Sequence, residues 1–429
     1  MFYINSSNSL LRNVLKLLSG TTLANIVTFV FSVVLARIYS PTEFGVYTLF
    51  LTIGVSIGSF ATGRYEMTII LPKKREEAKL LAYLCIIITV LFSIVCFFIL
   101  YVLRVIELIK LDLFLLLPLF VLFTGIYQTF YYYFNRNDRY GKMGISKLIQ
   151  AVLTALFSII LDSHSYYGLV IAHIAGLILS VVYLMWFEKR EIINNILSKD
   201  RPSIRQVIYL ARKYKEMPLY NSIHVLNDIA MNNGVIFIIS WSYGTAILGL
   251  YSFAWKTLRA PLSMIGTAIG QVYINASSKL YQDRRAISPL VNKIIMRLTI
   301  IAIPIFGVLM IFSENIFGLA FGDKWVEAGN YTQLLIPWLF FNFIGSPIVQ
   351  TFVVLKKQKV AVYYASIQTI LMLVTTLILA FLKVKIETFL IYLSITGALT
   401  TVGFILWIYF ILRQYEKSIY EKHNTLVNM

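Results

Sequence analysis

The 429-residue chain predicts an all-α polytopic membrane protein, with twelve transmembrane helices in two six-helix lobes related by a pseudo-twofold axis along the membrane normal. Three observations predict it. Apolar residues make up 59% of the chain and charged residues only 14%, a balance far from that of a soluble domain. The apolar residues fall in long runs, and a helix needs roughly 20 of them to cross hydrocarbon. The run Cys85 to Leu103 is apolar on every face, which excludes the polar-apolar alternation of a spanning barrel.

The spans are expected in order at 14–38, 44–71, 78–103, 113–135, 144–161, 167–187, 216–241, 246–273, 291–316, 331–355, 361–382 and 388–412. Lys16 and Arg37 lie at the two ends of span one, span two closes on Leu71-Pro72 before Lys73, and Lys79 and Arg104 lie at the two ends of span three. The basic loops holding Arg136 and Lys147, then residues 188–215, bound spans four to six. In the second half, Lys279 to Arg297, Lys356 to Lys359 and Arg413 mark the same side. This gives an N-terminal lobe at 1–187, a basic cytoplasmic linker at 188–215, a C-terminal lobe at 216–412 and a cytoplasmic tail at 413–429. The N-terminal stretch to Ser19 lacks a small-residue cleavage site and is expected to be retained, lying as an amphipathic turn on the inner leaflet.

Charge sets the orientation. Twenty-nine of the 38 Lys and Arg fall on the side holding both termini. Six, namely Arg37, Arg104, Lys110, Lys324, Lys383 and Lys385, fall opposite, and Arg64, Lys256 and Arg259 lie inside spans. The positive-inside rule puts the termini on the cytoplasmic side. The net charge of +18 sits in short juxtamembrane loops, where it meets anionic lipid heads, so it does not imply a nucleic-acid partner. Cys85 and Cys96 are about 16 Å apart along one helix and cannot bridge. The four histidines have no metal-ligand spacing, and neither a metal nor a resident cofactor is expected.

Two local matches point to an internal duplication. Tyr39-Ser40-Pro41-Thr42-Glu43-Phe44-Gly45-Val46-Tyr47, after span one, pairs with Tyr243-Gly244-Thr245-Ala246-Ile247-Leu248-Gly249-Leu250-Tyr251, after span seven. Gln128-Thr129-Phe130 in span four recurs as Gln350-Thr351-Phe352 in span ten. Both halves start inside, so their axis runs along the membrane normal, and such bundles place a substrate cavity between halves.

Polar residues inside spans locate candidate function. Span seven carries Asn221, His224, Asp228 and Asn232 on one face, and span one carries Thr21, Asn25, Thr28 and Ser32. The bland account of the Thr and Ser positions is interhelical hydrogen bonding. Asn25, Asn221, His224 and Asn232 are expected to give a cavity its polar lining. Span eight aligns Ser252, Lys256, Arg259 and Ser263, with Tyr251 and Trp255 beside them and Pro261 placed to bend the helix. Span two aligns Thr52, Ser56, Ser59 and Gly63, and at about 100° per residue Arg64 and Glu66 fall on either side of Ser56, flanking one groove. Three lipid-facing cations would cost together about 8–10 kcal/mol, so Arg64, Lys256 and Arg259 are expected to face water or an anion.

Three patterns carry a family resemblance: the corner Arg37-Ile38-Tyr39-Ser40-Pro41-Thr42-Glu43-Phe44-Gly45; Arg64-Tyr65-Glu66 followed by Leu71-Pro72; and Phe321-Gly322-Asp323-Lys324-Trp325-Val326-Glu327-Ala328-Gly329. With them the chain resembles, over nearly its whole length, the Wzx-type O-antigen and capsule polysaccharide flippases of the multidrug/oligosaccharidyl-lipid/polysaccharide (MOP) exporter superfamily. The resemblance implies alternating access and a lipid-linked oligosaccharide carried on undecaprenyl pyrophosphate, the tail staying in lipid. It implies membrane lipids and other polysaccharide-assembly proteins as partners and no enzymatic activity. It puts the basic-cavity role on Arg64, Lys256 and Arg259, and coupling to a proton or sodium gradient on Asp228 or Glu66. A lipid II flippase or a multidrug antiporter would share the fold, although intramembrane cations argue against a cationic drug. A polymerase or ligase would need catalytic residues in a sizeable outward loop, and the longest expected, about 316–330, carries no catalytic motif.

Overall fold

A computed structural model describes residues 3–107, 112–161, 167–188 and 204–427, and among them all regular structure is helical. The α-helices of ten or more residues are α1 (Tyr3–Ile38), α2 (Pro41–Gly58), α3 (Arg75–Val105), α4 (Leu117–Arg136), α5 (Tyr140–Ile160), α6 (Tyr167–Glu188) and α7 (Ile204–Lys213), then α8 (Glu216–Gln282), α9 (Ser288–Phe321), α10 (Val326–Gly345), α11 (Gln358–Phe381) and α12 (Ile386–Val427). The chain forms two compact units, Met1–Ala230 and Met231–Met429, and the boundary falls within α8.

In the first unit the corner after α1 is built for a sharp restart. Ser40 caps α2, its hydroxyl accepting from the Glu43 N–H while Glu43 accepts from the Ser40 N–H at 2.7 Å, and Pro41 occupies the first turn. Such a reciprocal cap contributes about 1 kcal/mol and fixes where the helix begins. α1 lies close on α5 because Gly20 meets Gly144: a Cβ on Gly20 would come within 2.5 Å of the Gly144 Cα. The basic helix α7 buries Val207 and Leu210 in a cluster with Ile69, Leu81, Cys85 and Phe134. Its Ala211 carbonyl accepts from the Tyr65 hydroxyl at 3.0 Å, and Lys213 pairs with Glu77 at 3.0 Å.

In the second unit α8 breaks at Gly244, whose φ of 84° is open to glycine. The α9–α10 hairpin turns at Gly322, φ 99°. Trp325 is fully buried against Phe253, ring centres 4.1 Å apart. Gly329 sits so tightly on α9 that a Cβ would lie 2.6 Å from the Glu314 Cα, and its carbonyl accepts from the Ser313 hydroxyl at 2.8 Å. The Trp-x-x-Ala-Gly pattern is thus a packing device: an aromatic plug followed by two residues small enough for backbone contact.

Ten segments are long and apolar enough to cross a membrane among the described residues. One of them lies in α8, which Gly244 divides into parts 216–243 and 245–282, and the 18-residue α2 stands beside these ten, a layout compatible with twelve crossings. The outer faces of α3 and α9 present Leu91, Phe98, Ile303 and Ile311, all exposed and apolar as lipid contact demands.

Several expected boundaries change. Span two is not one helix over 44–71: α2 stops at Gly58, the chain turns through 59–65, and Glu66–Ile70 forms a 3-10 segment. The region expected at 331–355 likewise leaves α-helix at Gly345 for a 3-10 segment, Ser346–Gln350. α1 is continuous from Tyr3 rather than preceded by a separate turn. The expected outward loop at 316–330 is helical except around Gly322, because Trp325 anchors the chain immediately after the turn.

The duplication acquires structural detail. Tyr39 donates its hydroxyl to the Ser158 carbonyl at 2.6 Å, near the end of α5, and Tyr243 donates to Val384 at 2.9 Å, just after α11. The fifth span of each half therefore ends on the tyrosine that opens its second span. The Gln-Thr-Phe match is out of register by one helical turn. The helix ends that correspond are at Asp138 and Lys356, with φ 56° and 57°, and place Phe134 rather than Phe130 opposite Phe352.

Candidate functional site

The break in α2 decides where Arg64 and Glu66 go. Gly63 and Arg64 are both in the left-handed region, φ 60° and 62°. For Arg64 that conformation costs roughly 1–2 kcal/mol. The turn brings the Arg64 guanidinium to Glu66 at 2.9 Å, with both side chains buried. Arg64 also donates to the Ser59 carbonyl at 3.2 Å, and the Thr62 hydroxyl donates to the other Glu66 oxygen. The expectation that the two flank a groove fails for a physical reason. It assumed helical phase through residue 66, whereas the chain leaves helix eight residues earlier and lets opposite charges neutralise each other.

Lys256 and Arg259 keep the helical phase expected of them, on the 245–282 part of α8, and both are exposed. The Arg259 guanidinium lies 5.5 Å from the centre of the Trp255 ring, a cation-π arrangement. Trp255 is nearly parallel to Tyr251 at 6.4 Å and lies 4.3 Å from Trp338 of α10. Trp338 in turn packs on Gly397 of α12, where a Cβ would intrude to 2.5 Å. Two donors in this region, Ser252 Oγ and Trp338 Nε1, are buried without a partner among the described residues. Two exposed cations beside an aromatic wall are suited to an anionic group carrying rings or hydroxyls.

The remaining predicted residues are distributed as follows. Asp228 and Asn221 are half-buried on the 216–243 part of α8, and the Asn221 amide nitrogen is buried without a partner among the described residues. The side chains of His224 and Asn232 lie outside the described residues. Asn25 is exposed on α1, while Thr28 and Ser32 bond back to their own helix at Ala24 and Phe29. Pro261 sits within continuous helix, and the α8 break is at Gly244 instead. No cluster of His, Cys, Asp or Glu among the described residues could hold a metal ion. Trp338 was not foreseen, since it reaches the site from a different helix and nothing in its own sequence neighbourhood marks it.

The comparisons with known proteins agree with this architecture. The fold resembles that of solved transporters described as members of the MOP superfamily. An inward-facing multidrug resistance MATE family transporter of that superfamily superposes with a TM-score of 0.64 at 14% identity, covering 92% of this chain and 95% of the other. The lipid II flippase MurJ in an inward closed conformation gives 0.69 at 15% identity, covering 94% and 89%. A MOP superfamily transporter from Pyrococcus furiosus, described as having a binding pocket of reversed polarity, gives 0.54 at 12% identity, covering 94% of each chain. At these identities the likeness speaks for fold alone. No curated protein matches the sequence. A family model described as polysaccharide biosynthesis protein matches residues 34–330, and the chain belongs to that family.

Proposed function

We propose that the protein is a flippase that moves an undecaprenyl-pyrophosphate-linked oligosaccharide from the cytoplasmic to the outer leaflet of the bacterial inner membrane by alternating access, for surface polysaccharide synthesis. The observation that carries this reading is the pair Lys256 and Arg259, exposed on a membrane-crossing helix of a polysaccharide-biosynthesis family member. Exposed cations inside a span are costly against lipid, and a pyrophosphate offsets that cost by charge-assisted hydrogen bonds. Because Glu66 matches the charge of Arg64, the head-group role falls chiefly on Lys256 and Arg259. An inside-negative potential assists outward movement of the anion by about 2.3 kcal/mol per charge per 100 mV. Asp228 is the remaining candidate for coupling to a proton or sodium gradient. The lysine and arginine asymmetry supports cytoplasmic termini.

Proteoliposomes test it. Purified protein should expose lipid-linked oligosaccharide, supplied in one leaflet, to a membrane-impermeant glycosidase or lectin in the other. The Lys256→Ala/Arg259→Ala variant, reconstituted in equal amount, should fall to a small fraction of the wild-type rate. Wild-type rates equal to those of empty liposomes would refute the proposal.

A further inference from the structure

The polar row that contains Lys256 and Arg259 does not stop at Ser263. It continues along the same helix as Thr267, Gln271 and Asn275, each four residues on, and every one of these side chains is exposed. At 1.5 Å per residue the row from Lys256 to Asn275 is about 28 Å long, close to the thickness of the hydrocarbon layer. Thr267 bonds back to Ser263 at 2.7 Å, but Gln271 and Asn275 have no hydrogen-bond partner among the described residues.

Depth alone does not account for this polarity. The neighbouring exposed arc of the same helix carries Ile265, Ala268 and Val272, with Val272 70% exposed directly beside Gln271. At one level in the membrane, one side of the helix is therefore built for lipid and the adjacent side for water. A third side buries Gly266, Gly270 and Tyr273 in the unit's core. Amide and hydroxyl groups of this kind, uncharged and offering both donors and acceptors, match sugar hydroxyls rather than a phosphate or a cation.

We propose that Ser263, Thr267, Gln271 and Asn275 form a track that binds the glycan of the lipid-linked substrate, several sugar units long, while Lys256 and Arg259 hold its anionic head. This rests on the flippase reading above and adds to it the residues that sense the sugar chain. In the orientation given by the loop charges, the track runs from mid-membrane to the cytoplasmic end of the helix, where a newly assembled glycan arrives. It makes the protein selective for glycan-bearing lipid over the bare carrier.

The test is equilibrium binding to protein in lipid nanodiscs with two probes: sugar-free undecaprenyl pyrophosphate, and the oligosaccharide-linked form extracted from the host membrane. The variant combines Thr267→Val, Gln271→Met and Asn275→Leu, which keep side-chain size and make the span more apolar, so insertion is preserved. Gln271→Met alone serves as a milder check. The triple variant should bind the glycan-linked probe at least roughly tenfold more weakly, since several hydrogen bonds are lost, while binding of the bare lipid stays within about twofold. Glycan-linked binding within about twofold of wild type, or an equal loss for both probes, overturns the track. Wild-type protein that holds neither probe overturns the flippase reading and the track with it, whereas intact binding of both probes by the triple variant overturns the track alone.

Discussion

Replacing Glu66 by Gln should cost more than replacing Glu66 and Arg64 together. At 2.9 Å and an effective dielectric of about 20, the attraction between the two charges is roughly 6 kcal/mol. Much of that only offsets the desolvation of two ions, since Glu66 is 1% and Arg64 7% exposed. Removing one partner strands a buried charge, which costs about 3–5 kcal/mol, while removing both is close to neutral. For a unit of this size 1 kcal/mol moves the melting temperature by about 2 °C, so Glu66→Gln and Arg64→Met should each lower it by roughly 6–10 °C. Arg64→Met/Glu66→Gln should regain most of the loss, because Thr62 can still donate to the Gln oxygen. Thermal unfolding of detergent-solubilised protein, followed by loss of the monodisperse chromatographic peak, measures all four points of the cycle. A Glu66→Gln protein that melts with wild type, or a double variant whose loss is the sum of the singles, would refute the buried pair. Flipping by the double variant near the wild-type rate would further show that Arg64 acts on structure rather than on substrate.

Three further outcomes follow from separate features. Asp228→Asn should uncouple transport from an imposed proton or sodium gradient while leaving lipid-linked substrate binding measurable; an Asn variant that still responds to either gradient removes Asp228 from coupling. Gly329→Ala should destabilise the second unit by about 1–3 kcal/mol, since its Cβ would lie 2.6 Å from α9 backbone, and an unchanged melting temperature would contradict that packing. Single cysteines placed within 72–77 or 188–215 should resist an impermeant thiol reagent in intact cells, and labelling from outside would reverse the orientation.

The sequence by itself determined the class of fold and the position of Lys256 and Arg259 on a membrane-crossing helix. These depend on composition, run length and loop charge, which are local quantities that hydrocarbon constrains strongly. It also located the Tyr39 and Tyr243 corners, because a cap and a glycine write their conformation into adjacent residues. Helical phase carried Ser252, Lys256, Arg259 and Ser263 to one face correctly where the helix is continuous. The same rule failed at Arg64 and Glu66, because Gly63 and the following turn end the helix and the two side chains meet across it. Nothing in hydropathy distinguishes a residue that faces water from one that meets an opposite charge two positions away. Tertiary structure alone decided that pairing, the docking of α7 through Tyr65 and Lys213, and the placing of Trp338 against Trp255. Each of these joins segments far apart in the chain or out of helical register, and their energies come from packing and charge complementarity that no single segment contains.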